Sequence, residues 1–298
     1  EKAELQSRDS VPKSKPLILH RMAELMHEIK KLTQKDADPS SKWSLSPVGL
    51  LKAVGEKLPY FADCAQHDAQ EFLRAFLDQL HNDLNKVKVT PAYNELKDID
   101  GEPEIDKAER TWDEYLKRND STMADLFCGQ LQSSVLCGGC QTTFTAYDPF
   151  WDLAVPIPHK YKSGAAQALC WLGGKNDPGC SLEDCLSAFS EEEELAGDEE
   201  YYCEKCKSRQ KATKWIRIHR YPKVLVVTLK RFSFSEKCGA RHKLNTPVSA
   251  PLQNLELERF RSSASSDPSP RYDLYAVADH VGGMGGGHYV ASCLNPGD

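Results

Sequence analysis

Two Cys-x-x-Cys pairs restrict what this 298-residue chain can fold into more than any other feature of its sequence. They are Cys137-Gly-Gly-Cys140 and Cys203-Glu-Lys-Cys206, and 63 positions separate Cys140 from Cys203. Two thiolates in one tight turn can reach a single ion, and two such turns complete a tetrahedral four-sulfur zinc site. The Zn²⁺ would join distant strands. Because a four-sulfur shell leaves no open position for water, its role would be structural.

Two other interpretations of the pairs stay open: a redox-active Cys-x-x-Cys, which the presence of a second pair disfavours, and chance spacing among eleven cysteines. Cys128, Cys170, Cys180 and Cys185 compete as ligands, but we interpret most of them as small apolar residues or loop thiols. The first residues do not resemble a secretory signal, so we expect metal binding rather than disulfides. The predicted location is intracellular, cytoplasmic or nuclear or both.

The composition is that of an ordinary globular chain, with 40% hydrophobic and 28% charged residues. Acidic residues outnumber basic ones, 44 against 38, which gives a formal net charge of −6. This balance argues against a nucleic-acid partner and favours a basic one. The longest apolar runs, such as VLVV, are far too short to cross a bilayer, so we expect no membrane partner.

Helical patterns fill the first part of the chain, and strand patterns fill the rest. Apolar residues at helical spacing predict helices over 16–32, over 46–58 and in DAQEFLRAFLDQLHNDL. From about residue 125 onward, β-branched and aromatic runs predict strands in LQSSVLC, KWIRIHR, KVLVVTLKRF, YDLYAVAD and HYVASCL. Within KVLVVTLKRF, the run VLVVTL is predicted to be buried on both faces. Helices first and strands afterwards favour an α+β fold.

Three stretches are predicted to be loops. The charged segment around 86–110 is expected to be an exposed connection. Residues 162–180, rich in Gly and Ala, are expected to be an inserted loop, and SSASSDPSP (262–270) is expected to be flexible.

The stretch QHDAQEFL places Asp68 and Glu71 three positions apart, where the long amphipathic helix begins. An N-cap at Asp68 with Glu71 as its capping-box partner explains both residues without any ligand. Spacing alone favours this capping interpretation over a binding role.

The stretch VGGMGGGHYVASC (281–293) puts five glycines within six positions, immediately before His288. Glycine costs entropy to order, so such a cluster indicates positive φ angles or the close approach of another group. A hairpin tip with an incidental histidine stays open as the alternative.

Several long motifs, in the same order along the chain, resemble the ubiquitin-specific protease family of papain-like cysteine proteases, which remove ubiquitin. QHDAQEFLRAFLDQLHNDLN resembles the glutamine–aspartate box of the family, and CGQLQSSVLCGGC and YYCEKCKSRQ resemble the two halves of its zinc site. YDPFWDLAVPIP, YPKVLVVTLKRF and YDLYAVADHVGGMGGGHYVASC resemble further blocks. The resemblance runs from about residue 16 to the last residue.

The resemblance implies a papain-like α+β fold with a helical thumb, a β-rich palm and zinc-bearing fingers. We expect a single incomplete catalytic domain over residues 1–298. The thumb would span about 1–122 and the fingers about 128–148 and 198–218, with the palm formed by the remainder. The expected partners are ubiquitin and ubiquitinated proteins.

The resemblance also implies roles for individual residues. His288 would be the general base that activates a cysteine, because histidine as a residue type can take and return a proton near neutral pH. Asp68 and Glu71 would hold the arginines of the ubiquitin tail by charge-assisted hydrogen bonds, which now favours substrate binding over capping alone. Gly286 and Gly287 would let the backbone approach the Gly-Gly tail. Tyr289 would help to wall the channel.

Two parts of the family pattern have no counterpart in this sequence. The nucleophile box, Asn-x-Gly-Asn-Thr-Cys, does not occur, and Cys64 stands at a place that is not the nucleophile position of the family. The Asp or Asn that orients the histidine is also missing, since Asn295 comes too early. We interpret the chain as an inactive segment of a ubiquitinyl hydrolase, a thiol protease, whose nucleophile lies outside it. The alternatives are an inactive ubiquitin-binding relative and a zinc-ribbon scaffold unrelated to ubiquitin.

Overall fold

The computed structural model describes residues 17–35, 44–63, 65–92, 94–158, 179–235, 240–268, 270–283 and 285–294. The chain divides into two compact units, one ending at Leu84 and the other beginning at Asn85. The predicted inserted loop at 162–180 lies outside the described residues except for its last two positions. No helix within the described ranges combines the length and apolarity needed to cross a bilayer.

Six helices are described, and three of them make up most of the first unit. They are α1 (Leu17–Lys35), α2 (Val48–Lys57), α3 (Ala69–Leu84), α4 (Glu104–Leu116), α5 (Thr122–Phe127) and α6 (Leu182–Phe189). Their apolar faces explain α1 to α3, as the spacing predicts. In α3 only the second half of the stripe is buried, at Leu77 and Leu80, whereas Phe72 and Leu73 near its start are exposed.

Sixteen short strands are described, all in the second unit. They are β1 (Gly129–Cys137), β2 (Thr143–Phe150), β3 (Leu153–Pro156), β4 (Cys180–Ser181), β5 (Glu193–Leu195), β6 (Tyr201–Cys203), β7 (Ser208–Gln210), β8 (Ala212–Arg220), β9 (Val227–Lys230), β10 (Phe232–Ser235), β11 (Ala240–Lys243), β12 (Val248–Ser249), β13 (Leu255–Glu256), β14 (Arg271–Tyr272), β15 (Ala276–Gly283) and β16 (Gly286–Cys293). The five predicted strand runs all contain strands, and the predicted α+β class is confirmed.

The largest sheet is antiparallel, in the order β2-β1-β8-β5. Two parallel pairs, β3 with β9 and β4 with β12, flank the hydrophobic core of this unit. That core includes Leu153, Val155, Ile157, Leu186, Ile218, Leu244, Leu257 and Phe260. The remaining strands form small hairpins and pairs, of which β15–β16 carries the glycine–histidine motif.

Three expectations differ from the structure. Residues 104–110 of the predicted connection belong to α4, whose Ala108 is fully buried although the helix is highly charged. The predicted flexible loop at 262–270 instead buries two serines. The hydroxyl of Ser262 donates to Gln132 Oε1, and the hydroxyl of Ser265 donates to the carbonyl of His219 at 2.5 Å. The run VLVVTL is only half-buried, because β9 pairs with β3 alone among the described strands.

Candidate functional site

The four predicted zinc ligands come together as two facing turns. Cys137 ends β1 and Cys203 ends β6, and each is followed three residues later by the second cysteine of its pair. The four Sγ atoms all lie within 4.8 Å of one another, with 3.9 Å between Cys137 and Cys206 and 3.7 Å between Cys140 and Cys203. A tetrahedron built from Zn–S bonds of about 2.3 Å has S···S edges of about 3.8 Å. The donor set therefore fits a single tetrahedral ion.

The backbone of the two turns is nearly identical. Gln141 and Lys207, each directly after a second cysteine, both have a φ of 55°. Their N–H groups donate to the carbonyls of Cys137 and Cys203, at 2.9 and 2.8 Å. In the first turn a Cβ on Gly138 would lie 2.8 Å from the carbonyl oxygen of Lys211, which explains the choice of glycine there. Both knuckles are thus preformed by the chain.

The thiols of this cluster differ in acidity. Hydrogen bonding from Thr142 lowers the pKa of Cys140 to about 6, whereas loss of solvent raises the pKa of Cys206 to about 12. Opposite shifts of this kind are expected when neighbouring thiols compete for hydrogen bonds in a partly buried cluster. A bound divalent cation would favour the thiolate form of all four.

The glycine–histidine motif forms the hairpin β15–β16, and its register sorts the side chains onto two faces. Val281 pairs with His288, Gly282 with Gly287 and Gly283 with Gly286. Because side chains alternate along a strand, His288 and Gly286 share one face, and Gly287 and Tyr289 share the other. The ring of His288 is exposed, and no hydrogen bond to it is found among the described residues. The face that carries His288 is therefore open.

The glycines of the hairpin are required for different reasons, one steric and one conformational. A Cβ on Gly287 would meet the ring of His280 and lie 2.6 Å from the carbonyl oxygen of Val281, so cross-strand packing requires glycine there. Gly286 has a φ of +156°, and none of the described residues comes within 4 Å of a built Cβ. Only its conformation demands glycine. Open space therefore lies beside Gly286, on the His288 face.

Tyr289 lies on the closed face, where its ring is 4.8 Å from that of His280. The ring of His280 also contacts Phe232, at 5.8 Å between centroids. These contacts give the hairpin a packed side opposite His288.

Asp68 caps α3, as the spacing of the motif predicts. Its Oδ1 atom accepts the backbone N–H of Gln70 at 2.7 Å and that of Glu71 at 3.2 Å. Glu71 is exposed and stands in the first turn of the helix. Asp68 and Glu71 belong to the first unit, whereas the cysteine cluster and the His288 hairpin belong to the second.

One polar pair beside this helix was not predicted. His67 Nε2 lies 2.7 Å from Asp63 Oδ1, and this hydrogen bond lowers the pKa of Asp63. The histidine ring packs edge-on against Tyr60 and Phe61. The four-residue spacing of the pair was the signal available in the sequence. Cys64, between the two partners, lies outside the described residues, as does Asn295.

The chain combines helices that precede a β-rich unit with a four-cysteine cluster and a glycine–histidine hairpin. This combination is typical of deubiquitinating thiol proteases. The chain belongs to the ubiquitin carboxyl-terminal hydrolase family, whose profile matches residues 1–298.

The comparisons with individual proteins cover nearly the whole chain. It is 41% identical over 272 residues to ubiquitin carboxyl-terminal hydrolase 2 of Gallus gallus, covering 91% of this chain and 71% of that one. Its identity to the Homo sapiens protein of the same description is 39% over 273 residues, covering 92% and 42%. A chain of the solved SAGA DUB module of Ubp8, Sgf11, Sus1 and Sgf73 bound to monoubiquitin matches with a TM-score of 0.66 and 25% identity. That match covers 97% of this chain and 53% of the solved one.

Proposed function

We propose that this chain is the ubiquitin-binding part of the catalytic domain of a deubiquitinating cysteine protease and supplies its general base, His288. The observation that carries the proposal is the open imidazole of His288, placed directly after a glycine turn in a chain whose relatives are named ubiquitin carboxyl-terminal hydrolases. A histidine side chain can take a proton from a thiol and return it to a leaving group.

The reaction is acyl transfer from the last glycine of ubiquitin. His288 removes the proton of a cysteine thiol, and the thiolate attacks the carbonyl carbon of that glycine. The C–N bond then breaks, and the imidazolium returns its proton to the departing amine. The imidazole then removes a proton from water, and the resulting hydroxide attacks the thioester carbonyl. The C–S bond breaks, the sulfur takes the proton back from the imidazolium, and the ubiquitin carboxylate is released. No cysteine of the sequence stands in the nucleophile motif of the family, so the thiol is assigned to a segment outside residues 1–298.

Substrate recognition is assigned to two places. The open space beside Gly286 suits a tail without side chains that passes close to the backbone on the His288 face. Gly287 and Tyr289 lie on the opposite face of the hairpin. Their packing there would stabilise the two strands that border the proposed path of the tail. The carboxylates of Asp68 and Glu71 suit the guanidinium groups of the ubiquitin tail, and capping by Asp68 leaves Glu71 exposed for this purpose.

We assign the metal of Cys137, Cys140, Cys203 and Cys206 as a structural Zn²⁺. Four sulfurs at tetrahedral spacing leave no position for a reacting water, so the ion would stabilise the fold and take no part in the reaction. None of the described cysteines forms a disulfide, which suits a reducing compartment, so the proposed location is the cytoplasm or the nucleus.

A ubiquitin carrying a cysteine-reactive group at its C-terminus tests the proposal. The purified chain is incubated with this probe, its intact mass is measured, and ubiquitin affinity is determined by titration, with His288→Ala as the matched variant. We expect ubiquitin binding without a covalent adduct. An adduct that disappears in His288→Ala would place the nucleophile within the chain, and absence of both binding and adduct would reject the proposal.

The same experiment bears on the alternative of an inactive ubiquitin-binding relative. Adding the probe to a longer version of the protein from the same gene separates the two. An adduct dependent on His288 supports the protease, and ubiquitin binding without an adduct supports the inactive relative.

A further inference from the structure

A side chain from another hairpin binds the edge of strand β15. The ammonium group of Lys243, at the end of β11, donates to the carbonyl oxygens of His280 at 2.8 Å and Gly282 at 3.1 Å. Both acceptors lie within the turn-proximal end of β15, and Gly282 pairs directly with Gly287, the residue before His288. Lys243 therefore binds the backbone that sets the position of the glycine turn.

The geometry of an antiparallel ladder explains why this edge needs a partner. Alternate carbonyls of a strand point toward the paired strand and away from it. A Cβ on Gly287 would lie 2.6 Å from the Val281 oxygen, so that carbonyl faces β16, and those of His280 and Gly282 face outward. No third strand pairs with β15–β16 within the described residues. Two-stranded hairpins are marginally stable alone, and the three donors of a lysine can satisfy two such carbonyls at once.

A second contact joins the same two hairpins. Phe232 pairs with Lys243 across β10 and β11, and the ring of Phe232 packs edge-on against that of His280. His280 in turn contacts Tyr289, the neighbour of His288. The ammonium of Lys243 thus fixes the edge of the hairpin, while Phe232 packs against the face opposite His288.

We propose that Lys243 is a positioning residue that fixes the glycine turn and thereby places His288 against a bound ubiquitin tail. It touches neither substrate nor reacting atoms and acts only through the backbone of β15. The role in substrate placement rests on the proposed function. The inference that Lys243 stabilises the position of the hairpin depends only on the two hydrogen bonds.

The test compares Lys243→Met, which keeps the stem and removes the donors, with Lys243→Arg, which keeps a donor. Lys223→Met serves as the matched control, because Lys223 is an exposed lysine outside both hairpins. Amide hydrogen exchange is followed residue by residue in the whole chain, and ubiquitin affinity is measured by titration.

For Lys243→Met we expect exchange at Val281 and His288 to accelerate at least about tenfold, while β1 and β8 keep their protection. Ubiquitin affinity should fall at least about fivefold. Lys243→Arg should restore both quantities in large part, and Lys223→Met should change neither.

Two results would overturn the inference: unchanged exchange in the hairpin, or equal acceleration in β1 and β8, which would make Lys243 a general stabiliser. If the unaltered chain does not bind ubiquitin, the proposed function fails. The exchange measurement then still decides whether Lys243 holds the hairpin.

Discussion

The cysteine cluster and the glycine–histidine hairpin lie in the same unit but are built in opposite ways. Cys137 and Cys203 are fully buried, and all four thiols of the cluster face one another. The hairpin is exposed along most of both strands, including Val281 and Val290. Its described contacts to other elements come mainly from Phe232 and Lys243.

The chain itself supplies all four ligands of the cluster. The hairpin supplies His288 but not the group on which this histidine would act. The cluster needs only an ion, and its ligands already stand at the required spacing. The hairpin offers a histidine on an open face, which is useful only when a substrate or another segment covers it. The first arrangement is largely buried and already at ligand spacing, and the second is exposed along most of both strands.

The largest effect should follow from breaking the cluster. Cys137→Ser removes a buried ligand that joins β1 to the second knuckle, so the bound metal should be lost. We expect a loss of at least about 4 kcal/mol, or roughly 8–16 °C in Tm, since zinc binding contributes directly to folding energy. Calorimetry and metal analysis by mass spectrometry measure both quantities. Cys293→Ser, at an exposed free thiol, should leave them unchanged. An equal Tm for the two variants would contradict a structural metal.

A smaller and more local effect should follow from breaking the hairpin. Gly287→Ala would push a methyl group against the Val281 carbonyl and the ring of His280, at a cost of about 1–3 kcal/mol. Because the hairpin lies outside the core, this cost should open the hairpin locally and not unfold the whole unit. Ubiquitin affinity should therefore fall about tenfold or more, while Tm changes little. Gly49→Ala is the control, since its built Cβ would meet only the Cδ atom of Arg21, at an ordinary contact distance of 3.7 Å. Equal affinities of the two variants would show that the path of the turn is not critical.

The start of α3 allows capping to be separated from binding. Asp68→Ala should cost about 1 kcal/mol, because it leaves the N–H groups of Gln70 and Glu71 without their acceptor. Asp68→Asn keeps a good cap but removes the charge, so it should preserve Tm and weaken ubiquitin binding. Reversing the charge at Asp68 and Glu71 together should weaken binding far more than it lowers Tm. Parallel losses of binding and Tm would favour capping as the only role.

The smallest effect concerns pH and the sheet that carries the cluster. Burial lowers the pKa of His219 on β8, so the folded chain disfavours its charged form. The unfolded chain then binds the proton more readily, and stability should fall as pH drops through the ordinary histidine value of about 6.5 toward the lower folded pKa. Between pH 7.5 and 5.5, Tm should decrease by a few degrees more in the unaltered chain than in His219→Gln. Identical slopes would remove His219 as the cause.

The cluster could be predicted from sequence because its information is local. Two residues between paired cysteines fix each knuckle, and two knuckles are enough to define a four-sulfur site. The amphipathic helix α3 and its cap at Asp68 were predictable for the same reason. The role of His288 is different, since it comes from a resemblance and stays a prediction.

Helix α4 was missed because its charged residues hide a narrow apolar face, with Ala108 buried and Trp112 and Tyr115 half-buried. Helix α6 was missed although Ser181 and Asp184 form a full capping box, because the helix is short. Lys243 could not be found from sequence at all. Its contact with His280 joins residues 37 positions apart, and only the folded hairpins bring them together.

The two parallel pairs also bear on the order in which the chain folds. Strand β3 pairs with β9 and β4 pairs with β12, although the paired strands lie far apart in the sequence. Parallel strands cannot be joined by a tight turn, so these contacts form only after long stretches of chain have been brought together. Because closing such long loops costs entropy before any contact is gained, we expect the core around Leu153 and Val155 to form late, after the local hairpin of β1 and β2.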